Sequence, residues 1–162
     1  MTTNTTRAAT PSMKTYLPIM IGRSQSSITG YPPPATPAEI VVSLTNDERA
    51  KVGCPALVIS SQLSTAAQSH TGDMATHKLM SHTGSDGSSP WDRINATGYQ
   101  FRAAAENVAM GFETPADVVN GWMNSAGHRA NILNCDLHEI GVGYATDSTG
   151  APYWTQDFAT PR

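Results

Sequence analysis

The chain has 162 residues, of which 39% are hydrophobic and 14% charged, and its formal net charge is -3 at pH 7. This length suits one ordinary domain, and so small a charge excludes both the basic footprint of a nucleic-acid-binding protein and a strongly acidic tail. From the charge we expect no nucleic-acid partner. No apolar stretch approaches the roughly 18 residues that a membrane-spanning helix requires, so we also expect no transmembrane segment.

Residues 1–35 show no sustained periodicity. They are rich in Thr, Ser and Pro, and the three prolines at 32–34 favour extended polyproline geometry over a helix. A short apolar stretch at 16–22 is interrupted by Pro18, which makes it a poor signal peptide. Residues 1–35 are therefore predicted to be a flexible leader, and residues 36–162 a single folded domain.

The first predicted helix begins at Thr36-Pro37, where Glu39 completes a capping box, and it ends at Gly53. Its apolar face is expected to contain Ile40, Val41, Leu44 and Val52. The second helix is predicted to start after Ser60 or Ser61. Its buried stripe is expected to contain Leu63, Ala66, Ala67, His70 and Met74, so that His70 would be a hydrogen-bonded core histidine.

A third helix is predicted from Ser88-Ser89-Pro90 to about Gly98, and a fourth from Thr114-Pro115, with Asp117 at its third position. Ser125 is expected to cap a short turn that leads to Ile132 and Leu133. The three tryptophans are expected in the core: Trp91, Trp122 and Trp154.

Strands are predicted at 104–110, 140–145 and 153–158. The last two flank the turn-forming sequence Asp-Ser-Thr-Gly at 147–150, which is typical of an antiparallel hairpin. Helices come first and the alternating rhythm of a parallel sheet is missing. The predicted class is therefore α+β, with helices covering an antiparallel sheet.

No two of the five histidines have the HExxH spacing of a helical zinc site. Any site must be assembled from separate segments, and the candidates are His82, Glu106 and His128, each at a junction of an element with a loop. Taken singly, each has a plain structural explanation. Cys54 and Cys135 lie 81 positions apart (135 − 54), too far for a CxxC motif, which leaves open two buried thiols or one bridge.

Taken together and in order, several segments resemble the CAP superfamily, which comprises cysteine-rich secretory proteins, antigen five and pathogenesis-related class one proteins. The segments that carry the resemblance are Asn46, Arg49 and Gly53-Cys54, Ala66-Ala67 through His70 and Met74, Ser81-His82, Gly98-Tyr99, Ala105 to Gly111, Trp122 to Leu133, Glu139 to Tyr144 and Tyr153 to Gln156. The resemblance covers about residues 36–158. The resemblance implies a three-layer α-β-α sandwich with a mainly antiparallel central sheet and a surface cleft that contains two histidines and one or two glutamates.

By motif, His82 and His128 correspond to the two cleft histidines of this family and Glu106 to its first glutamate. The second glutamate of eukaryotic relatives falls at Ser125, a departure that puts transfer of any eukaryotic activity in doubt. Two imidazoles and a carboxylate suffice for a divalent ion with an open coordination position, and equally for a hydrogen-bonded network without metal. The predicted cleft therefore contains His82, Glu106, Ser125 and His128, with the histidines and Glu106 as ligands for Zn, Mg or Ca.

The resemblance also implies a Cys54–Cys135 disulfide and a secreted, extracellular or cell-envelope location. The function we expect is non-enzymatic binding of a divalent metal, or of a small lipid, sterol or peptide, by a monomer. One alternative is a metal-assisted, protease-like hydrolase in which Glu106 and His128 act in catalysis. The other is an interaction module of the cell envelope.

Overall fold

The computed structural model describes residues 34–162, which contain five helices and four strands. The predicted leader lies outside the described residues, apart from residues 34 and 35. The helices are α1 (Pro37–Lys51), α2 (Ser61–His77), α3 (Pro90–Ala96), α4 (Pro115–Met123) and α5 (Ala126–Ile132). The strands are β1 (Val58–Ile59), β2 (Phe101–Met110), β3 (Glu139–Thr146) and β4 (Pro152–Pro161).

Local capping signals start the helices where the sequence predicts. The Thr36 side chain accepts from the Glu39 backbone N–H, and the Glu39 carboxylate accepts from the Thr36 backbone, so the capping box of α1 is complete. Ser89 forms the corresponding box at α3, and Ser60 caps α2. Ser125 occupies the N-cap position of α5, but its side chain makes no capping hydrogen bond.

The sheet has the order β1-β3-β4-β2. The pairs β3/β4 and β2/β4 are antiparallel, which confirms the predicted hairpin, while β1 runs parallel to β3 and makes the sheet mixed. The two-residue strand β1 is absent from the sequence prediction because it is too short to show a period. Strand β2 forms the edge opposite β1, and it contains Glu106, one of the predicted site residues.

Helices cover both faces of the sheet. The side chains of β4 alternate between the two faces, and those on each face pack against the helices there. Tyr153 and Ala159 pack against the side of α2, whereas Trp154 and Phe158 pack into the main core with α1, α4 and α5. This arrangement is the predicted three-layer α-β-α sandwich. None of the helices in residues 34–162 is both long and apolar enough to cross a membrane.

Helix α2 crosses β3 at backbone contact distance. A Cβ atom at Gly141 would lie 2.1 Å from the backbone of Leu63, and one at Gly143 would lie 2.4 Å from the carbonyl oxygen of Ala67. Only glycine leaves room for the helix at these two positions. The close approach fixes the height of α2, and hence of His70, above the sheet.

The apolar face predicted for α1 is partly wrong. Ile40 and Val52 are exposed, and the buried stripe is Val41, Val42, Thr45 and Arg49. The stripe is displaced because the guanidinium of Arg49 turns inward, where it donates to the backbone carbonyls of Pro55, Ile132, Asn134 and Leu137. Those hydrogen bonds compensate for burying a cation.

A Cys54–Cys135 disulfide lies beside this arginine, with a Cα–Cα separation of 5.0 Å. It confirms the pairing that the family resemblance implies. The bridge and Arg49 both tie the end of α1 to the segment between α5 and β3.

Candidate functional site

The site is built around Glu106, a buried carboxylate near the middle of the edge strand β2. Its side chain is 1% exposed, whereas the imidazole of His82, in the loop between α2 and α3, is 54% exposed. His82 Nδ1 lies 2.7 Å from Glu106 Oε1. A carboxylate can only accept, so Nδ1 carries the proton, and Nε2 of the half-exposed ring faces away from this bond.

The second oxygen of Glu106 is bound by Arg93, which α3 places beside it. Arg93 Nη2 donates to Glu106 Oε2 at 2.6 Å and to the carbonyl of His82 at 3.0 Å. Its Nη1 donates to the carbonyl of Ser88 at 2.9 Å. Both oxygens of Glu106 are therefore engaged, one by a guanidinium and one by an imidazole.

Sequence reasoning missed Arg93. The signal that could have found it is its position as the only basic residue in the third predicted helix, directly after the capping residues. In the structure this side chain is 10% exposed and pairs with Glu106.

Asp157 is the cross-strand neighbour of Glu106 in the β2/β4 register. It is 1% exposed, and within residues 34–162 neither of its carboxyl oxygens has a hydrogen-bond partner. Burial, followed by the negative charge of Glu106, raises the pKa of Asp157 well above its ordinary value, against the opposing effect of Arg93. Beside the Glu106 carboxylate, Asp157 therefore favours its neutral form more than an exposed aspartate would.

Asp157 is the second functional residue that the sequence analysis missed. Its signal is a carboxylate between Gln156 and Phe158 in a strand that is buried from residue 152 to residue 160. Charged residues are rarely buried in this way without a role.

His128, on α5, approaches the same region. Burial, followed by the electrostatic effect of His82, lowers the pKa of His128. In the part of the chain that the structure describes, the ring of His128 makes no hydrogen bond to Glu106 or His82. Its backbone carbonyl accepts from Asn107 Nδ2 at 3.2 Å, which fastens α5 to β2.

A pocket of about 460 Å³ opens over Glu106 and is called here the Glu106 pocket. Its polar wall is formed by His82, Glu106 and Asn131, and its apolar wall by Pro90, Trp91 and the alanines at 104 and 105. Trp91 is 41% exposed, so its predicted place in the core is wrong: it lies on the outer side of the short helix α3. The predicted cleft residues Ser125 and His128 do not line this pocket.

The predicted metal ligands do not fit a resident metal ion in this arrangement. Among residues 34–162, no three His, Cys, Asp or Glu side chains are grouped so that they could hold one. The Glu106 carboxylate is paired with Arg93 and His82 instead. The arrangement is instead the hydrogen-bonded network that the residues allowed as the second possibility.

The disulfide-linked α-β-α sandwich agrees with the fold expected of a CAP domain. The pattern of the CAP family, described as the cysteine-rich secretory protein family, matches residues 42–158. The chain belongs to this family.

Three relatives illustrate the likeness. The uncharacterized protein YkwD of Bacillus subtilis is 42% identical over 118 residues, which are 73% of this chain and 45% of YkwD. An extracellular protein containing an SCP domain from Bacillus anthracis superposes with a TM-score of 0.70 at 29% identity, over 76% of this chain and 40% of that one. An outer surface protein of Borrelia burgdorferi gives a TM-score of 0.71 at 25% identity, over 76% of this chain and 91% of that one. The chain thus spans less than half of the two Bacillus proteins.

Proposed function

We propose that residues 36–162 form a secreted, non-enzymatic binding domain whose Glu106 pocket takes a short peptide in an extended conformation. The observation that carries this proposal is the stretch of the β2 edge at Ala104, since farther along the strand the edge carbonyls are already bonded by side chains. Glu106 and Val108 direct their carbonyls away from β4, where Asn131 Nδ2 and Trp122 Nε1 donate to them at 3.3 and 3.2 Å.

Ala104 has the same orientation as Glu106 and Val108, because backbone groups that face the edge recur at every second residue. Within the described residues, no loop or side chain is hydrogen-bonded to the backbone of Ala104, and Ala104 lines the pocket. An extended peptide can therefore pair with this stretch of the edge and place a side chain against Trp91 and Pro90. Backbone pairing would supply affinity, and the pocket would supply selectivity.

Binding without catalysis is supported by the hydrogen bonds of Glu106 and of the two histidines. Each oxygen of Glu106 is held by a cationic or imidazole donor, His82 at Oε1 and Arg93 at Oε2, which makes the carboxylate a weaker base. In residues 34–162, no serine or threonine hydroxyl is hydrogen-bonded to the ring of His82 or His128, as an activated nucleophile would be. A peptide would therefore be held and not cleaved.

Secretion is supported by two observations. Disulfides persist in oxidising compartments, and this domain has one. Two of the similar solved structures are an extracellular protein and an outer surface protein.

The peptide proposal is tested by panning a random-sequence phage-displayed peptide library against the protein and measuring the selected peptides by fluorescence polarisation. We expect Trp91→Ala to weaken binding at least tenfold, because it removes the apolar wall of the pocket. Leu79→Ala is the matched control, since Leu79 is 61% exposed and lies outside the pocket. Equal binding by wild type and Trp91→Ala, or lipid in the purified protein with no peptide selected, would contradict the proposal.

The predicted metal site is tested on the same protein by calorimetric titration of zinc into wild type and into His82→Ala/His128→Ala. We expect no stoichiometric binding that depends on the two histidines. Stoichiometric binding that is lost in the double variant would show that the two histidines bind the metal, and the metal-assisted alternative would then replace the peptide proposal.

A further inference from the structure

The edge of β2 accepts a partner strand over a short stretch that ends at Glu106. The backbone groups of Ala104, Glu106 and Val108 face the edge, because this orientation recurs at every second residue. The carbonyl of Glu106 accepts from Asn131 Nδ2, and that of Val108 accepts from Trp122 Nε1. These two side chains take the places that the N–H groups of a partner strand would occupy. A strand that pairs with Ala104 therefore ends beside Glu106.

The side-chain amide of Asn131 is held in one orientation. Its Nδ2 donates to the carbonyl of Glu106 at 3.3 Å and to Asn107 Oδ1 at 2.8 Å. Asn107 is fixed in turn, because its Nδ2 donates to the backbone carbonyl of His128 and to Gln156 Oε1. A reversed Asn131 amide would set its oxygen against two acceptors, so the nitrogen faces β2 and the oxygen faces away from it.

The oxygen of this amide adds an open acceptor to the Glu106 pocket. Asn131 Oδ1 has no hydrogen-bond partner within residues 34–162, and it remains accessible to solvent. Asn131 lines the pocket together with His82, whose Nε2 presents a lone pair because Nδ1 holds the proton. The third polar side chain of the wall is the Glu106 carboxylate. The polar wall thus offers acceptors to whatever lies beside the end of the paired stretch.

The acceptors determine which end of a peptide fits there. If an added strand runs antiparallel to β2, its amino terminus lies on the Glu106 side of Ala104, whereas in a parallel strand its carboxyl terminus lies there. A terminal carboxylate has acceptors alone and would find no partner in the polar wall. A terminal ammonium has three N–H donors, which match the wall.

We infer that the Glu106 pocket binds the free amino terminus of an extended peptide that runs antiparallel to β2. The inference rests on the peptide function proposed above, and it adds the direction of the strand and the chemistry of its end. The ammonium donates to Asn131 Oδ1 and His82 Nε2, and the following residues pair with Ala104. Beyond Ala104 the strand continues to Arg102, which is exposed and leaves room for the rest of the peptide.

The test is affinity selection from two libraries of random hexapeptide amides, one with free amino termini and one N-acetylated, with the retained peptides identified by mass spectrometry. We expect the free-amine peptides to bind at least about tenfold more tightly than their acetylated forms, which is the size expected for losing the hydrogen bonds of a charged group. Retained sequences are then resynthesised with Gly-Gly added at one end. Extension at the amino terminus should weaken binding at least about tenfold, whereas extension at the carboxyl terminus should leave it unchanged.

Asn131→Ala frees the carbonyl of Glu106 and removes the acceptor, so this variant should bind a retained peptide and its acetylated form equally. Asn120→Ala is the matched control, because Asn120 is an exposed amide outside the pocket, and it should keep the wild-type preference. If amide spectra show that Asn131→Ala does not fold, the Gly-Gly series on the wild type decides the matter.

The outcomes separate this inference from the peptide function itself. Peptides retained equally from both libraries would overturn the inference and leave the peptide proposal standing, and so would a preference for the free amine that persists in folded Asn131→Ala. Retention of no peptide from either library would overturn both.

Discussion

Replacing Asp157 with asparagine should change how the stability of the domain depends on pH. Asparagine has nearly the shape of a protonated aspartic acid but cannot ionise. In the folded protein the pKa of Asp157 is raised by burial and by Glu106, whereas in the unfolded chain it returns to about 3.9. Between these two values the folded state binds one more proton than the unfolded state.

The size of the effect follows from proton linkage. Stability falls by about 1.4 kcal/mol for each pH unit over which folded Asp157 keeps its proton and unfolded Asp157 has lost it. The loss begins above the unfolded pKa, near pH 4, and ends at the raised pKa of the folded state. Asp157→Asn has no such slope, so its stability relative to wild type should increase by about 1.4 kcal/mol per unit across this window.

His70 contributes a pH dependence of the opposite sign to the free energy of unfolding, and the assay must cancel it. Its folded pKa is lowered by burial, so its contribution is fully present above the unfolded pKa of about 6.5 and is lost as the pH falls below that value. Both proteins contain His70, and the difference between their unfolding free energies removes its effect. A slope in wild type alone would not identify Asp157, whereas a slope in the difference would.

The assay is urea unfolding of wild type and Asp157→Asn at half-unit intervals from pH 4.5 to 8.5, followed by circular dichroism. Glu113→Gln is a suitable control, because Glu113 is an exposed carboxylate outside the site. Parallel stability curves for wild type and Asp157→Asn would refute the reasoning, since they would mean that Asp157 is ionised in both states.

Three further changes test the fold around the site, each measured by urea unfolding. Arg49→Met should lower the free energy of unfolding by roughly 4 kcal/mol, because it leaves the buried carbonyls of Ile132 and Leu137 without a donor; a loss below about 1 kcal/mol would contradict this. Cys54→Ala/Cys135→Ala should lower it by about 4.5 kcal/mol, the loop-closure entropy of an 81-residue separation, and an unchanged midpoint would count against that estimate. Gly141→Ala should cost ~3 kcal/mol or more, since the new Cβ meets the α2 backbone, and near-wild-type stability would show that α2 can move away from the sheet.

The parts of the fold that depend on local signals could be predicted from the sequence. The capping box at Thr36 and Glu39, and the turn at 147–150, each act within a few residues, and both are found where they were expected. The inward turn of Arg49 could not be predicted, because its acceptors lie up to 88 positions along the chain. Trp91 was misplaced for a related reason: helix α3 has seven residues, too few to show which side is buried.

The sequence predicted the His82–Glu106 pair of the site, but not the two residues that lie against Glu106. The order of the sequence blocks identified His82 and Glu106, which the structure joins directly. Arg93 and Asp157 reach Glu106 only through the packing of α3 and the register of β4, neither of which has a local signature. A charged residue within a buried strand is the best sequence indication of such a residue, and Asp157 is one.

The Arg93–Glu106 ion pair couples the docking of helix α3 to the state of the Glu106 pocket. The same guanidinium also binds the backbone carbonyls of His82 and Ser88, so α3, the loop that contains His82 and the strand β2 all meet at one side chain. A peptide that competes for Glu106 would weaken the docking of α3, and by thermodynamic reciprocity a change that weakens the docking of α3 would alter the affinity for the peptide by the same factor.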